Sequence, residues 1–285
     1  MTVGIVGLGL IGGSAAKAFR TEGHTVYGTD RDRAIADFAV LDGAIDAVLT
    51  DDLLASCELL LLCVYPEGVL DFLREKGAKI AKSALIIDFA GVKGVICPQA
   101  FALAEEYGFT FVGGHPMAGS HRSGYAAARE NLFSGASMVA VPPRFDDPSL
   151  FEWVKCSLAP LGFARTTFCT AEEHDRMIAY TSQLAHVVSS AYVRSDSSEA
   201  HRGFSAGSWK DLTRVAYLNE HMWSTLFLAN RDALLCELDT LIAHLAEYRE
   251  SIAEGDRERL TAILREGREM KSRADRSKVI GNSEK

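Results

Sequence analysis

The sequence has few cysteines, and none of them stand at metal-binding or redox spacing. Its six cysteines lie far apart in 285 residues, without a C-x-x-C motif, which argues against a zinc ribbon, a thioredoxin-like motif or a disulfide framework. No apolar run approaches the roughly 20 residues of a membrane helix, and the N-terminus lacks the basic segment of a signal peptide. We therefore expect a cytoplasmic protein with reduced thiols.

An excess of basic residues is also missing. The formal net charge of −8 argues against a nucleic-acid partner, which would require a basic surface. Hydrophobic residues make up 48% and charged residues 24% of the chain, as in ordinary globular proteins. This length suits one large domain or two of ordinary size.

The first thirty residues carry a dinucleotide-binding pattern. A short apolar strand ends in a run that matches G-x-G-x-x-G, and a helical pattern follows: Gly7-Leu8-Gly9-Leu10-Ile11-Gly12. Gly7 would permit a tight turn, Gly9 close approach of a pyrophosphate, and Gly12 close packing of the helix on the sheet. Asp30 ends the second strand, where a carboxylate takes the ribose hydroxyls of NAD. A glycine-rich surface turn is the alternative for the glycine run alone.

Further cofactor contacts are expected where later strands end, because open α/β sheets bind ligands at the carboxyl ends of their strands. Tyr65 follows the most apolar run of the chain, residues 58–64, and small residues follow the next strand. Arg31, beside Asp30, could partly accommodate the extra phosphate of NADP. The predicted cofactor-binding residues are Gly7, Gly9, Leu10, Ile11, Gly12, Asp30, Arg31, Val64, Tyr65, Ala90 and Gly91.

Strands and helices alternate up to about residue 168, and no convincing strand follows Cys169. The predicted fold class is α/β, with a Rossmann-type, doubly wound, mostly parallel sheet over residues 1–168. Residues 169–285 form an all-helical domain, with helices over 171–194, 219–253 and 257–272. The leucine stripes of the long second helix indicate either core or a dimer interface.

Two polar residues near strand ends are candidates for chemistry. His115 follows the predicted strand 109–113 and is flanked by glycine and proline; histidine can take a proton near neutral pH. A purely structural histidine is the alternative. Lys93, after the preceding strand, could bind a carboxylate or could be a solvated lysine at a helix start.

The helical half holds three further candidates. Ser182 and His186 are four residues apart, so they would share one helix face that is otherwise mainly apolar. Such a polar pair needs partners or a ligand. Arg214 offers a bidentate fork to a carboxylate, although an ion pair with Asp211 is the alternative.

At these residues the chain resembles the prephenate/arogenate dehydrogenase family of tyrosine biosynthesis. Beyond the glycine run, the resemblance rests on four segments: His115-Pro116-Met117-Ala118-Gly119-Ser120 with Ser123-Gly124, His174-Asp175 leading to Ser182 and His186, Asp211-Leu212-Thr213-Arg214-Val215-Ala216, and Met222-Trp223 ending at Asn230. It implies a Rossmann domain, a dimerising helical domain, NAD as cofactor, and oxidative decarboxylation of prephenate to 4-hydroxyphenylpyruvate. The implied partners are a small cyclohexadienyl carboxylic acid and a second copy of the chain.

The resemblance also implies residue roles. His115 would accept the ring hydroxyl proton while hydride leaves for NAD, and Arg214 would hold the side-chain carboxylate. The implied substrate pocket is lined by Ser120, Ser182, His186, Gly207 and Trp223. The chain departs from the family pattern at Gly91, where a serine usually hydrogen-bonds the catalytic histidine, at His121, where an acidic residue is common, and at Gln183, where a histidine is expected.

Alternative functions remain at this stage. Arogenate, or both cyclohexadienyl acids, could be the substrate. A β-hydroxyacid or imine reductase shares the two-domain plan but lacks the H-P-M-A-G segment. A non-catalytic protein that senses dinucleotides is a further alternative, for which the loss of the serine is the only indication.

Overall fold

The computed structural model describes residues 1–120 and 122–280. Two compact units divide the chain, Met1–Ala233 and Leu234–Lys285. The first unit contains the whole sheet and the helices that end by Ala229, and the described part of the second unit is mainly helical. No helix in the described ranges combines the length and the apolar character that crossing a membrane requires.

One eight-stranded sheet organises the first unit, with strand order β3-β2-β1-β4-β5-β6-β7-β8. All neighbouring strands are parallel except β6 and β7. The first six strands follow the Rossmann order, in which the connection reverses between β1 and β4. The strands are β1 Thr2–Val6, β2 Thr25–Thr29, β3 Ala47–Val48, β4 Leu59–Leu62, β5 Leu85–Asp88, β6 Thr110–Pro116, β7 Ser137–Val141 and β8 Arg165–Phe168.

Helices connect the strands and then continue without further strands. Those before the last strand are α1 Leu10–Thr21, α2 Arg33–Leu41, α3 Asp51–Leu54, α4 Pro66–Lys76, α5 Cys97–Tyr107 and α6 Pro148–Leu158. Those after it are α7 Ala171–Ile178, α8 Ala185–Val193, α9 Gly207–Thr213, α10 Glu220–Ala229, α11 Arg231–Glu254 and α12 Arg257–Ile280. A π-helical segment, Ala179–Leu184, joins α7 to α8.

Both faces of the sheet are covered, which explains the continuous apolar run of the central strand. In β4, Leu59 and Leu61 belong to the core cluster on one face, and Leu60 and Leu62 to the cluster on the other. Successive side chains of a strand point to opposite faces. A strand buried on both sides therefore has no polar alternation.

Four predicted elements differ from the structure, one of them the last helix, which was predicted over 257–272 and runs to Ile280. The strand predicted to end at Gly113 continues to Pro116, because residues 113–116 pair antiparallel with β7. His115 therefore lies inside β6, and the prediction that it follows the strand was wrong. The single helix predicted over 171–194 contains the π segment, and the helix predicted over 219–253 is broken at Asn230.

The predicted domain boundary near residue 168 marks a change from alternating elements to helices alone. The compact units instead divide at Ala233, because α7 to α10 belong to the same unit as the sheet. Residues 169–233 thus lie in one unit with the candidate cofactor site. The boundary at 168 stays a prediction, which separates the residues that bind the dinucleotide from those that bind substrate and form the dimer.

Candidate active site

The glycine run forms the turn between β1 and α1, and its crowding explains two of its glycines. Gly7 has a φ of +88°, and a Cβ on it would lie 2.5 Å from the backbone oxygen of Cys63. A Cβ on Gly12 would lie 1.8 Å from the backbone oxygen of Gly7, so only glycine allows α1 to start this close to the strand. A Cβ on Gly9 would meet nothing within 4 Å.

The start of α1 is suited to an anion. Gly9 is the N-cap residue and offers no side-chain acceptor to the first turn. The first N–H groups of a helix lack partners within the helix and attract phosphate. Leu10 and Ile11 supply the first of these groups, and the open space beside Gly9 leaves room for a pyrophosphate to approach the backbone.

Asp30 is fixed at the end of β2, facing the glycine turn. Its Oδ2 accepts a hydrogen bond from the backbone N–H of Leu8 at 2.7 Å, and its Oδ1 from that of Asp32 at 3.0 Å. Arg31 beside it is exposed. The carboxylate is therefore held where the ribose of a dinucleotide would lie.

The remaining predicted cofactor residues follow β4 and β5. Val64 is half-buried and Tyr65 exposed just past β4, the strand next to β1. Ala90 is buried and Gly91 half-buried just past β5. These carboxyl ends meet at one edge of the sheet, as expected for a dinucleotide cleft.

His115 begins a chain of hydrogen bonds. Its Nδ1 lies 2.9 Å from Nε2 of His174, whose Nδ1 lies 2.6 Å from Oδ1 of Asp175. The Asp175 carboxylate also accepts hydrogen bonds from the backbone N–H groups of Lys93, at 2.8 Å, and Gly94, at 2.7 Å. Within the described ranges, Nε2 of His115 has no hydrogen-bond partner.

Lys93 is neither solvated nor free to bind a carboxylate ligand. Its side chain is fully buried and paired with the equally buried carboxylate of Asp88, so both sequence-based interpretations of Lys93 were wrong. Asp88 also accepts hydrogen bonds from the backbone N–H groups of Ala90, at 3.0 Å, and Gly114, at 3.2 Å. The pair therefore ties the end of β5 to β6 directly beside His115.

The surroundings of His115 favour its neutral form. Burial lowers the pKa of His115 well below the ordinary 6.5, and the neighbouring His174 and Lys93 lower it further. Burial is the main cause because a charged imidazole loses its hydration there. At pH 7 the ring is a neutral base with one nitrogen available for a proton.

A second group of predicted residues surrounds His186. Its ring lies 3.9 Å from that of Trp223, centroid to centroid, and its Nδ1 donates to the backbone oxygen of Ser182 at 2.8 Å. Burial lowers the pKa of His186, and the charge of Arg214 lowers it further. Arg214 is exposed, and its proposed ion pair with Asp211 does not form in the described structure.

Helix α10 connects this group to His115. A Cβ on Gly91 would lie 3.3 Å from Cδ2 of Leu226 and 3.9 Å from Cε1 of His115. The amide of Gln183 donates to the backbone oxygen of Leu226 at 3.2 Å, which ties the π segment to α10. Trp223, which packs against His186, and Leu226, which approaches Gly91, are three positions apart in α10 and so lie on the same face of this helix.

Two predicted substrate residues stand apart from these groups. Ser120 is exposed, and its hydroxyl accepts a hydrogen bond from the backbone N–H of Arg122 at 3.1 Å. Gly207 is exposed at the start of α9. Neither contacts His115 in the described structure, and His121 lies outside the described residues.

Four buried polar residues near His115 received no role from the sequence. They are His174, Asp175, Gln183 and Asn230. The side-chain amide of Asn230 donates to Gln183 Oε1 and to the backbone oxygen of Asp175, both at 2.8 Å. The adjacent His-Asp pair and Asn230 belong to the segments that carry the family resemblance, and this was the available signal. Its contact with His115 joins residues far apart in the chain, so spacing alone could not reveal it.

Comparison with known families agrees with this geometry. The family model described as prephenate dehydrogenase, nucleotide-binding domain, matches residues 15–165, and the one described as prephenate dehydrogenase, dimerization domain, matches residues 170–266. The chain belongs to the prephenate dehydrogenase family. The resemblance inferred from the sequence motifs is thereby confirmed.

Individual relatives extend over most of the chain. Prephenate dehydrogenase of Bacillus subtilis is 30% identical over 271 residues, covering 91% of this chain and 72% of its own length. The crystal structure of Synechocystis arogenate dehydrogenase has a TM-score of 0.80 at 29% identity and covers 98% of this chain and 100% of its own. Prephenate dehydrogenase of A. aeolicus, in complex with hydroxyphenyl propionate and NAD+, has a TM-score of 0.80 at 26% identity and covers 96% and 98%.

Proposed function

We propose that the protein is an NAD-dependent dehydrogenase that converts prephenate to 4-hydroxyphenylpyruvate in tyrosine biosynthesis. Arogenate, or both cyclohexadienyl acids, is the alternative substrate. The observation that carries the proposal is the part-buried His115 ring, held at Nδ1 by His174 and with no hydrogen-bond partner of Nε2 among the described residues, at the edge of the sheet that also holds the dinucleotide turn. Family membership favours this reaction over that of a β-hydroxyacid or imine reductase.

The cofactor site fits NAD by its shape and charge. The turn around Gly7 and Gly12 has no room for side chains, while the space beside Gly9 is open. Asp30 presents a braced carboxylate suited to two ribose hydroxyls. When bound, NAD supplies the acceptor for the hydride that the substrate loses.

The protein's part in the chemistry is proton transfer at His115. Taking the proton of the ring hydroxyl increases electron density at the carbon that loses hydride, which lowers the barrier for that loss. Loss of carbon dioxide then makes the ring aromatic. Because the His115 ring is neutral at pH 7, it can accept the hydroxyl proton at that pH.

The helical residues supply the substrate contacts in this proposal, as the predicted division into 1–168 and 169–285 implies. Arg214 holds the side-chain carboxylate, and the closely packed rings of His186 and Trp223 form the apolar wall beside Ser182. Ser120 and Gly207 complete the pocket when substrate is bound. Guanidinium groups recognise carboxylates through two parallel hydrogen bonds.

The function is tested by following NADH absorbance after the protein is mixed with NAD and either prephenate or arogenate. We expect turnover of at least one of the two acids, and the ratio of their kcat/KM values identifies the substrate. NAD binding without turnover of either acid would support the dinucleotide-sensing alternative. Turnover of β-hydroxy acids or cyclic imines instead would assign the protein to the reductase reaction.

The choice of nicotinamide cofactor depends on Asp30. We expect a clear kcat/KM preference for NAD, because the carboxylate would repel the 2′-phosphate of NADP. Asp30→Ala should weaken the preference for NAD. Adding Arg31→Ala should then reduce the use of NADP, since Arg31 is the cation next to Asp30 in the sequence. Equal or better use of NADP by the parent protein would contradict the assignment of Asp30.

Arg214→Ala should raise KM by roughly tenfold to a hundredfold, while NAD affinity and Tm stay near those of the parent. A hydrogen bond to a charged group contributes about 1.5–3 kcal/mol, and Arg214 is exposed, so its loss should not unfold the chain. Lys210→Ala, on the same helix, is the matched control and should leave KM unchanged. If Arg214→Ala mainly lowers Tm, Arg214 is structural.

The dimerization-domain match and one face of α11 support a homodimer. Leu235, Ile242, Leu245 and Ile252 are exposed and fall on one helix face. Leu245→Asp should reduce the mass in solution, measured by light scattering, from twice to once the chain mass of 30.9 kDa. Thr240→Asp, on the opposite face, should leave the dimer intact, and a monomeric parent would contradict the proposal.

We also place the enzyme in the cytoplasm. All six cysteines are free, and free thiols persist in reducing compartments. Fractionation of the source cells, with the enzyme activity as the readout, tests this location.

A further inference from the structure

Gly91 leaves His115 without the hydroxyl partner that the family pattern implies. A Cβ at this position would lie 3.9 Å from Cε1 of His115, so a serine there would stand beside the ring. Glycine provides no hydrogen bond in its place. A general base nevertheless needs a partner that holds its ring and decides which nitrogen carries the proton.

We propose that His174, itself held by Asp175, is the positioning residue that fixes His115 as the tautomer with a free Nε2. This assignment takes the role of His115 from the proposed function. The supporting observation is the continuous chain from Nδ1 of His115 through both ring nitrogens of His174 to the Asp175 carboxylate, with links of 2.9 and 2.6 Å.

The direction of each hydrogen bond in this series follows from Asp175, its last member. Asp175 accepts the backbone N–H groups of Lys93 and Gly94, one at each carboxylate oxygen, and a carboxylate can only accept hydrogen bonds. Nδ1 of His174 must therefore be the donor to Asp175. A neutral His174 then has only a lone pair at Nε2, so Nδ1 of His115 carries the hydrogen and Nε2 of His115 is left as the base.

The surroundings keep His174 neutral and in place. The residue is 2% exposed, and burial lowers the pKa of His174 below 6.5, opposed by the hydrogen bond to Asp175. Lys93 lowers the pKa further and Asp88 raises it, so these two neighbours act in opposite directions. A neutral His174 is the state that the proton assignment requires.

The Asp175 carboxylate, the last group in this series of hydrogen bonds, is fixed by backbone N–H groups. A Cβ on Gly94 would lie 2.7 Å from Oδ2 of Asp175, so the glycine is what allows its N–H to approach this closely. Asn230 holds the backbone oxygen of Asp175 from α10. Asp175 therefore holds His174 in place, and His174 can orient His115 without rearranging when His115 accepts the substrate proton.

The tautomer of His115 can be measured without substrate. In protein labelled with ¹⁵N, the ring signals that disappear in His115→Asn identify His115 among the eight histidines. At pH 8 we expect the shifts of a protonated Nδ1 and an unprotonated Nε2. The opposite tautomer, or a rapid mixture of the two, would overturn the proposal, whatever the substrate of the enzyme is.

Two substitutions test the contribution to catalysis. His174→Leu removes the acceptor for His115, whereas His174→Gln keeps a carbonyl oxygen that can accept from Nδ1 of His115. We expect His174→Leu to lower kcat between about tenfold and 10⁴-fold, the upper figure being the cost of a wrong tautomer in a serine-protease triad. KM and NAD affinity should change little, and His174→Gln should recover most of kcat.

The outcomes separate this proposal from the proposed function. A His174→Leu protein with parental kcat, or a His174→Gln protein as slow as His174→Leu, would overturn the positioning role. If the parent turns over neither acid, the proposed function fails, while the ring shifts still decide the tautomer. Tm of both variants shows whether loss of folding contributes, and the measurement on the parent protein does not depend on either variant.

Discussion

His115→Asn should lower kcat by roughly 10²–10⁴-fold, the usual contribution of a positioned general base. Asparagine keeps part of the ring's size and a hydrogen-bonding group toward His174, but it cannot accept the substrate proton. NAD affinity and Tm should stay close to the parent values, because His115 is not part of the dinucleotide turn. Steady-state kinetics with the active cyclohexadienyl acid and a separate NAD titration measure the two effects.

The parent's pH profile provides an independent check on the same base. His115 must be neutral to act, so kcat/KM should fall as the pH drops through its pKa in the free enzyme. Burial lowers that pKa well below 6.5, so the fall should lie on the acid side of an ordinary histidine. His115→Asn should lose this limb of the profile.

His186 is the matched control for this result, because its pKa is also lowered by burial. His186→Asn should affect KM more than kcat and should keep the acid limb. If His115→Asn turns over within a few-fold of the parent and keeps the limb, the base is another group, and His186 is the next candidate.

The dinucleotide turn could be predicted in detail because its requirements are local. Gly7 needs a left-handed backbone, Gly12 needs the absence of a Cβ, and Asp30 follows at the distance set by one helix and one strand. All of these requirements lie within a single βαβ unit. The central strand was equally predictable, since burial on both faces leaves an uninterrupted apolar run.

The surroundings of His115 could not be predicted in the same way. The extension of β6 through His115 depends on pairing with β7, and the contact with His174 depends on a helix that follows the whole sheet. Lys93 has the sequence context of an exposed helix start, yet it is buried by pairing with Asp88. Each of these features requires a partner from a distant part of the chain, which periodicity does not identify.

The π segment is a further case of this kind. Its residues, Ala179–Leu184, have the apolar spacing of an ordinary helix, and the sequence therefore predicted one helix. The buried amide of Gln183 bonds to Leu226 and Asn230 from this segment. π turns of this kind are frequent at functional sites, and this one carries Ser182 beside His186.

Lys93→Met should lower the free energy of unfolding by about 3–5 kcal/mol, the usual cost of removing one partner of a buried ion pair. The substitution leaves the Asp88 carboxylate buried without its countercharge, although the N–H groups of Ala90 and Gly114 still donate to it. Urea unfolding at pH 7 measures the change. Arg33→Met, which breaks the exposed pair with Asp37, is the matched control and should cost less than about 1 kcal/mol.

The pH dependence of this destabilisation identifies its cause. Burial raises the pKa of Asp88 above its ordinary value of 3.8, and Lys93 opposes that rise, so Lys93→Met should raise the pKa of Asp88 further. A carboxyl group whose pKa is higher in the folded state takes up its proton there first, and protonation therefore stabilises the folded form as the pH falls. The difference between Lys93→Met and the parent should shrink as the pH is lowered from 7 toward the raised pKa of Asp88. The free energies of unfolding of the parent and Lys93→Met could instead differ by less than about 1 kcal/mol at pH 7, or by an amount that does not change with pH. Either result would show that Lys93 does not stabilise the buried charge of Asp88.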